Sequence, residues 1–246
     1  MTSDSSAISS ERLPVKMITL AIECATEAAS AALLADAEVI GEVYIDAKSH
    51  HSEVVLPALE SLLALAGLTI NHVELFACTT GPGSFTGVRI GIATVKGLAL
   101  ATGKPIMGIS TLEALAMNLS RSQRLICPLL DARKNQVYAG LYRIGEDGFP
   151  VSVVADYLGD IETVLKNLPQ GEVDFIGDGA LRYREKIRVD FPAANIGNSG
   201  KINNPNAASL GVVAVGRYKR HGVATDALSL LPTYLRLSEA EQKKGL

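Results

Sequence analysis

Basic residues are not in excess here: 23 Lys and Arg stand against 26 Asp and Glu in 246 residues, a net charge of −3. Without a global basic field the chain is not built to grip nucleic-acid phosphates. A local basic strip at Lys219-Arg220-His221 is left open. Cysteine is scarce as well. Cys24, Cys78 and Cys127 share no metal or redox spacing and lie in apolar runs. They read as buried free thiols of a reducing compartment, which makes the cytoplasm the expected location. No stretch reaches the roughly 18 uninterrupted apolar residues of a membrane span, so no membrane partner is expected. The opening MTSDSSAISSERLPVK is serine-rich and lacks an apolar signal core, and residues 1–14 are expected to be a disordered tail.

What is present is apolar: 48% of the residues are hydrophobic, enough for one large domain or two modest ones. Met17–Ile22, Ala28–Leu34 and Val39–Ile45 read as strands. From His51 the spacing turns helical and runs to Ala66, with Pro57 marking a kink or an early turn. A strand at Leu75–Thr79 then enters GPGSFTGVRIGIATVKGLALATG, from Gly81 to Gly103. Gly81, Pro82 and Gly83 demand a tight turn, and Ser84 or Thr86 caps a helix over Ser84–Ala101. A strand, a glycine turn and a helix N-terminus form an anion-friendly arrangement. A phosphate cradle and a turn kept for packing are both open readings. A short strand at Lys104–Gly108 and a helix from Thr111 follow.

The second half opens by echoing the first. Ile18–Leu34 lies over Ile126–Tyr142 without a gap: an apolar strand, an acid (Glu23, Asp131), a short polar turn and a returning strand. Later, Val173–Ile176 leads into Gly177-Asp178-Gly179, and a helix covers Ala207–Arg220. The expected fold is α/β and two-lobed, of the actin-like ATPase type. Lobe 1 spans residues 15–116, joined by a C-terminal helix within 205–221, and lobe 2 spans 117–204. The closing LPTYLRLSEAEQKKGL turns polar and is expected to fray, with 237–246 as tail.

GPGSFTGVRIG, HSEVVLP (His51–Pro57), LLDARKNQVYAGLY and LPTYLR, in that order, resemble the TsaB (YeaZ) family over about Met17 to Glu241. The resemblance implies a subunit in synthesis of N6-threonylcarbamoyladenosine in tRNA. The related TsaD subunit would hold the metal and perform the transfer, with a TsaE-like ATPase joining them.

Independent catalysis finds little support in the residues. The hairpin turns Glu23–Glu27 and Asp131–Asn135 contain no glycine, which restricts backbone approach to a phosphate. GPGSFTG also lacks the Gly-Lys-Ser/Thr of a phosphate-binding loop. Of four histidines (His50, His51, His72, His221), none has a partner at i+4, where TsaD-like proteins carry a His-x-x-x-His pair. His51 and Glu53 otherwise read as cap or surface residues. Ser84 and Thr86 have no adjacent base. Asp131 reads as orienting an anion-binding turn or as an acceptor within its own hairpin, and Arg89 as reaching across the glycine turn or pairing with an acid. No catalytic residue, metal or cofactor is therefore expected. Gly81, Gly83, Ser84, Asp131, Arg133, Gly177 and Gly179 stand as vestigial anion or nucleotide turns. A residual ATPase, a glycoprotease-like peptidase or a homodimeric binding module remains the alternative.

Three glycines in the Ser84–Ala101 helix each cost about 1 kcal/mol against alanine, so close packing must offset them. With apolar residues on several sides, this helix and His51–Ala66 are expected to form a partner surface. The candidate contacts are His51, Val54, Val55, Leu59, Leu62, Gly87, Val88, Gly91, Ile92 and Val95. A TsaD-like subunit would dock there, or a second copy when that subunit is absent, with tRNA engaged indirectly.

Overall fold

A computed structural model describes residues 16–46, 50–198 and 200–236. Both stretches read as tails, 1–14 and 237–246, lie outside the described residues. The first sheet has the order β3-β2-β1-β4-β5, from Ile18–Glu23 (β1), Ala29–Ala35 (β2), Glu38–Ile45 (β3), Leu75–Gly81 (β4) and Ile106–Ser110 (β5). β1 pairs antiparallel with β2 and parallel with β4.

Alternation along these strands assigns the two faces. Leu20, Ile22, Phe76 and Cys78 meet α1 (His51–Leu65) and α2 (Phe85–Thr102) in one core cluster. Ala21, Ala32, Leu75 and Ala77 meet α7 (Ala207–His221) on the other face. The small alanines let α7 approach closely: a β-carbon on Gly211 would stand 2.3 Å from Leu34 Cδ1. Pro57 falls in the second turn of α1 without ending the helix.

Sheet two repeats the plan. Leu125–Asp131 (β6) and Gln136–Ile144 (β7) form the hairpin, and Val173–Ile176 (β9) joins β6 in parallel. The full order is β10-β9-β6-β7-β8, with edges Pro150–Asp160 (β8) and Asn195–Ile196 (β10). Helices α4 (Ile161–Asn167), α5 (Asp178–Arg182) and α6 (Arg184–Asp190) belong to this lobe, contributing Ile161, Val164, Ala180 and Ile187 to one core. The opposite face of the sheet packs Ile126, Leu130, Tyr142 and Ile176 against Leu112, Leu115 and Ala116 of α3 (Thr111–Met117). α3 is thus shared between the lobes. Its N-cap, Ser110, accepts from the N–H groups of Leu112 and Glu113 and donates to Asp156, whose other oxygen takes the Tyr142 hydroxyl at 2.5 Å.

One expected strand moved: Lys104–Gly108 becomes Ile106–Ser110, because Pro105 has no N–H to give a ladder and serves only as an acceptor for Phe76.

Candidate functional site

A cleft of about 400 Å³ opens where three turns converge. From lobe 1 come Ala25, Thr26 and Glu27 of the first hairpin, with Gly83 and Ser84 before α2. Lobe 2 supplies Asp131, Ala132, Arg133 and Tyr138 of the second hairpin, with Asp178 beside them. Of the residues expected to form vestigial anion turns, Gly83, Ser84, Asp131 and Arg133 therefore meet here.

The glycines are explained by backbone approaching backbone within the chain. A β-carbon on Gly83 would stand 2.3 Å from the Ala25 carbonyl oxygen, and one on Gly87 2.0 Å from that of Cys24. The Ser84 N–H, a donor an anion would seek, is bonded to Ala25 O at 2.7 Å. Ser84 Oγ in turn caps α2 through Gly87 N–H at 3.2 Å. Gly177 and Gly179 face away from the opening, their β-carbon positions lying 2.0 and 2.9 Å from Leu129 O. Gly81 faces the C-terminal segment, where Thr233 O lies 2.7 Å from its β-carbon position.

The charged groups on the lobe 2 side are neutralised locally. Asp131 accepts the Arg133 N–H at 3.0 Å and pairs with the guanidinium groups of Arg133 (3.5 Å) and Arg182 (3.6 Å). Arg133 also reaches Glu27 across the cleft at 3.6 Å. Arg133, Lys134 and Asn135 all have positive φ, at 64°, 52° and 60°, a conformation costly for residues with side chains. Among the described residues no group of three or more His, Cys, Asp or Glu converges as a metal site. All three cysteines are buried and free, and burial holds the Cys78 thiol up at about 12.

Beneath the first hairpin lies Glu23, fully buried. Its Oε1 accepts the Ala25 N–H at 2.6 Å and the Thr79 hydroxyl at 3.4 Å, while Oε2 has no partner among the described residues. Burial pushes its carboxyl up to about 8, against the pull of those two donors. The acid was visible at the strand end, but not its depth.

The partner-surface residues need correction. His51, Val55, Leu59, Leu62, Gly87, Val88, Gly91, Ile92 and Val95 are all buried inside this chain, and Val54 is half-buried. The apolar ones pack on the first sheet, and Gly91 lies over Cys24. His51 is neither cap nor surface residue: it is 4% exposed, with Nε2 donating to Thr26 O at 2.8 Å. The outward faces of α1 and α2 carry other residues, including Leu56, Leu65, Ala93, Gly97 and Leu100. Gly97 stands apart from its helix companions, for a β-carbon there would meet nothing within 4 Å among the described residues.

The closing segment needs correction up to Arg236. Thr233 N–H bonds Thr80 O at 2.7 Å, Tyr234 stacks on Phe85 with centroids 5.2 Å apart, and Arg236 bonds Ala132 O at 2.6 Å. Arg89 lies 3.7 Å over the Phe85 ring and donates to the Tyr234 hydroxyl, so it reaches the C-terminal segment and not an acid. LPTYLR was the available signal, misread because its polar residues resemble a fraying end.

The family model for TsaD, tRNA N6-adenosine threonylcarbamoyltransferase, matches residues 38–244. The tRNA threonylcarbamoyladenosine biosynthesis protein TsaB of Bacillus subtilis is 35% identical over 230 residues, covering 92% of this chain and 97% of its own length. Its counterpart in Haemophilus influenzae is 32% identical over 238 residues, covering 92% and 95%. A solved structure of YeaZ from Pseudomonas aeruginosa superposes with a TM-score of 0.78 at 30% identity, covering 89% of this chain and all of that one. The ethanolamine utilization protein EutJ of Carboxydothermus hydrogenoformans is alike in fold alone, at a TM-score of 0.55 and 10% identity. The duplicated lobes have the actin-like ATPase fold. With relatives at 30% identity or more matched along nearly their whole length, the chain belongs to the TsaB (YeaZ) family.

Proposed function

We propose that this chain is a non-catalytic subunit in the formation of N6-threonylcarbamoyladenosine in tRNA, acting by pairing with a TsaD-like enzyme. The observation that carries the non-catalytic part is the contact of Gly83 and Gly87 with the carbonyls of Ala25 and Cys24. Where an ATPase of this fold would present free backbone amides to a phosphate, this turn closes on the chain's own first hairpin. The acid of the second hairpin is committed to Arg133 and Arg182. The family supplies the pathway.

Gly97 supports the pairing. Glycine within an exposed helix costs about 1 kcal/mol relative to alanine. Gly87 is accounted for by the Cys24 carbonyl, a β-carbon at Gly91 would make ordinary contact with Cys24 Cβ at 3.7 Å, and nothing among the described residues calls for glycine at 97. A helix from another subunit approaching α2 closely would. Exposed Ala93 and Ala101 lie one turn to either side, and Leu56, Leu65 and Leu100 add apolar area to the same layer. A TsaD-like subunit docks there, a TsaE-like ATPase joins the pair, tRNA is met through the assembly, and the isolated chain pairs with itself. The assembly works in the cytoplasm.

Co-purification with the TsaD-like protein of the same organism, followed by a tRNA modification assay, tests this. The expected result is no turnover by this chain alone and modification only when both subunits are present. ATP or peptide hydrolysis by the purified chain, abolished by Asp131→Asn, would favour an independent enzyme and sink the proposal.

A further inference from the structure

The segment after α7 crosses the molecule from one lobe to the other. Thr225 N–H bonds Ile106 O on the edge of the first sheet, and Leu230 is buried in the lobe 1 core. Lys96 of α2 donates to the carbonyls of Leu228 and Leu230 at 3.3 and 3.0 Å. Thr233 then passes directly over Gly81, a crossing for which any β-carbon at 81 would leave too little room. Tyr234 is held by Phe85 and by Arg89, whose Nε donates to its hydroxyl at 2.6 Å. Arg236 ends the crossing in lobe 2. Its guanidinium takes two acceptors on the β6–β7 turn, the Ala132 carbonyl at 2.6 Å and the Gln136 side-chain oxygen.

We propose that Asp226–Arg236 is a clasp that fixes the β6–β7 turn over the cleft and sets the angle between the lobes. The second attachment lies at the far end of β7, where Tyr142 and Ser110 share Asp156. Six residues separate Gln136 from Tyr142, roughly 20 Å of strand at about 3.3 Å per residue. One attachment alone leaves a hinge, but two so far apart along one strand remove the rotation that opens and closes a two-lobed cleft. The clasp also holds a turn that does not hold itself easily. Arg133, Lys134 and Asn135 are left-handed in succession, and Arg236 binds the residues flanking them on both sides.

Amide hydrogen exchange on the full chain tests this, reading the Ala132 and Gln136 N–H groups that close the turn. Arg236→Ala is expected to raise their exchange roughly ten-fold while β1 and β4 keep their protection. Arg236→Lys, able to satisfy one acceptor, should fall between. Tyr234→Ala removes an exposed ring of the clasp, held on the lobe 1 side by Phe85 and Arg89, and it too should raise their exchange, by a smaller factor. Wild-type exchange at both amides in either alanine variant would overturn the clasp. Should Arg236→Ala lose protection throughout the chain, the Tyr234→Ala result decides.

Discussion

The Ala25 carbonyl oxygen and Gly83 are closer than any residue with a side chain would permit, 2.3 Å from oxygen to the position of a β-carbon, and the same oxygen accepts the N–H of Ser84. Gly83→Ala must therefore push two backbones apart, in a φ of +155° at the edge of the glycine region. A loss of about 2–4 kcal/mol in unfolding free energy is expected from urea titration. Gly97→Ala, in open space within α2, the helix that Gly83 precedes, is expected to gain about 1 kcal/mol. Opposite signs from two glycines fourteen positions apart would separate packing inside the chain from whatever Gly97 serves.

That purpose is tested by Gly97→Leu. Leucine favours helix over glycine, so the melting temperature should hold or rise. Affinity for a TsaD-like subunit should fall at least ~100-fold, about 2.7 kcal/mol, because a side chain would then stand where the proposed partner helix approaches. Calorimetric titration of the two purified subunits measures it, and an unchanged affinity would remove Gly97 from the interface. Gly91→Leu is not an equivalent test, since Gly91 is buried over Cys24 and its replacement disturbs the core.

Glu23 makes stability depend on pH. Its carboxyl sits near 8 in the folded chain against an ordinary value of 4.5, so the folded state holds the proton more tightly than the unfolded one. The contribution is greatest below about 4.5, falls as pH rises towards about 8, and is flat above, with a slope of at most about 1.4 kcal/mol per pH unit. Glu23→Gln should remove this part of the slope and exceed the parent chain in stability at pH 8 and above. Urea midpoints from pH 5 to 9 for both proteins make the comparison, and parallel profiles would show that Glu23 does not titrate in this range.

Asp156 joins the lobes, bonded to Ser110 from one and Tyr142 from the other, and burial raises its carboxyl above the ordinary range. Asp156→Ala strands both hydroxyls and should cost about 2–3 kcal/mol. Asp156→Asn, keeping part of the bonding, should cost about half as much. Equilibrium denaturation of the two variants gives both values.

Period and punctuation made much of this architecture legible. Apolar runs marked β1, β2 and β4, alternation marked β3, and the matching of Ile18–Leu34 with Ile126–Tyr142 found both hairpins. The faces of α1 and α2 were not legible, because valine, leucine and isoleucine surround both helices. Only the sheet decides that Val55, Leu59 and Ile92 turn inward while Leu65 and Leu100 stay out. β8 escaped notice since Val151, Val153 and Val154 on this edge strand lie among polar and small residues and remain exposed. Arg236 was out of reach for another reason: its acceptors lie about a hundred residues earlier, and no local pattern records them.

The placement of α7 has a consequence for synthesis. Lobe 1 is discontinuous in the chain: its sheet is complete by Ser110, yet Leu210, Val213 and Ala214, which cover one face, and Leu230, which enters the core on the other, come after the whole of lobe 2. A ribosome releasing this chain from its N-terminus exposes β1, β2 and β4 with the α7 face bare until the last fifth of the sequence emerges. Lobe 2, contiguous from β6 to β10, is free to fold first. The half of the molecule translated first is thus the half that matures last.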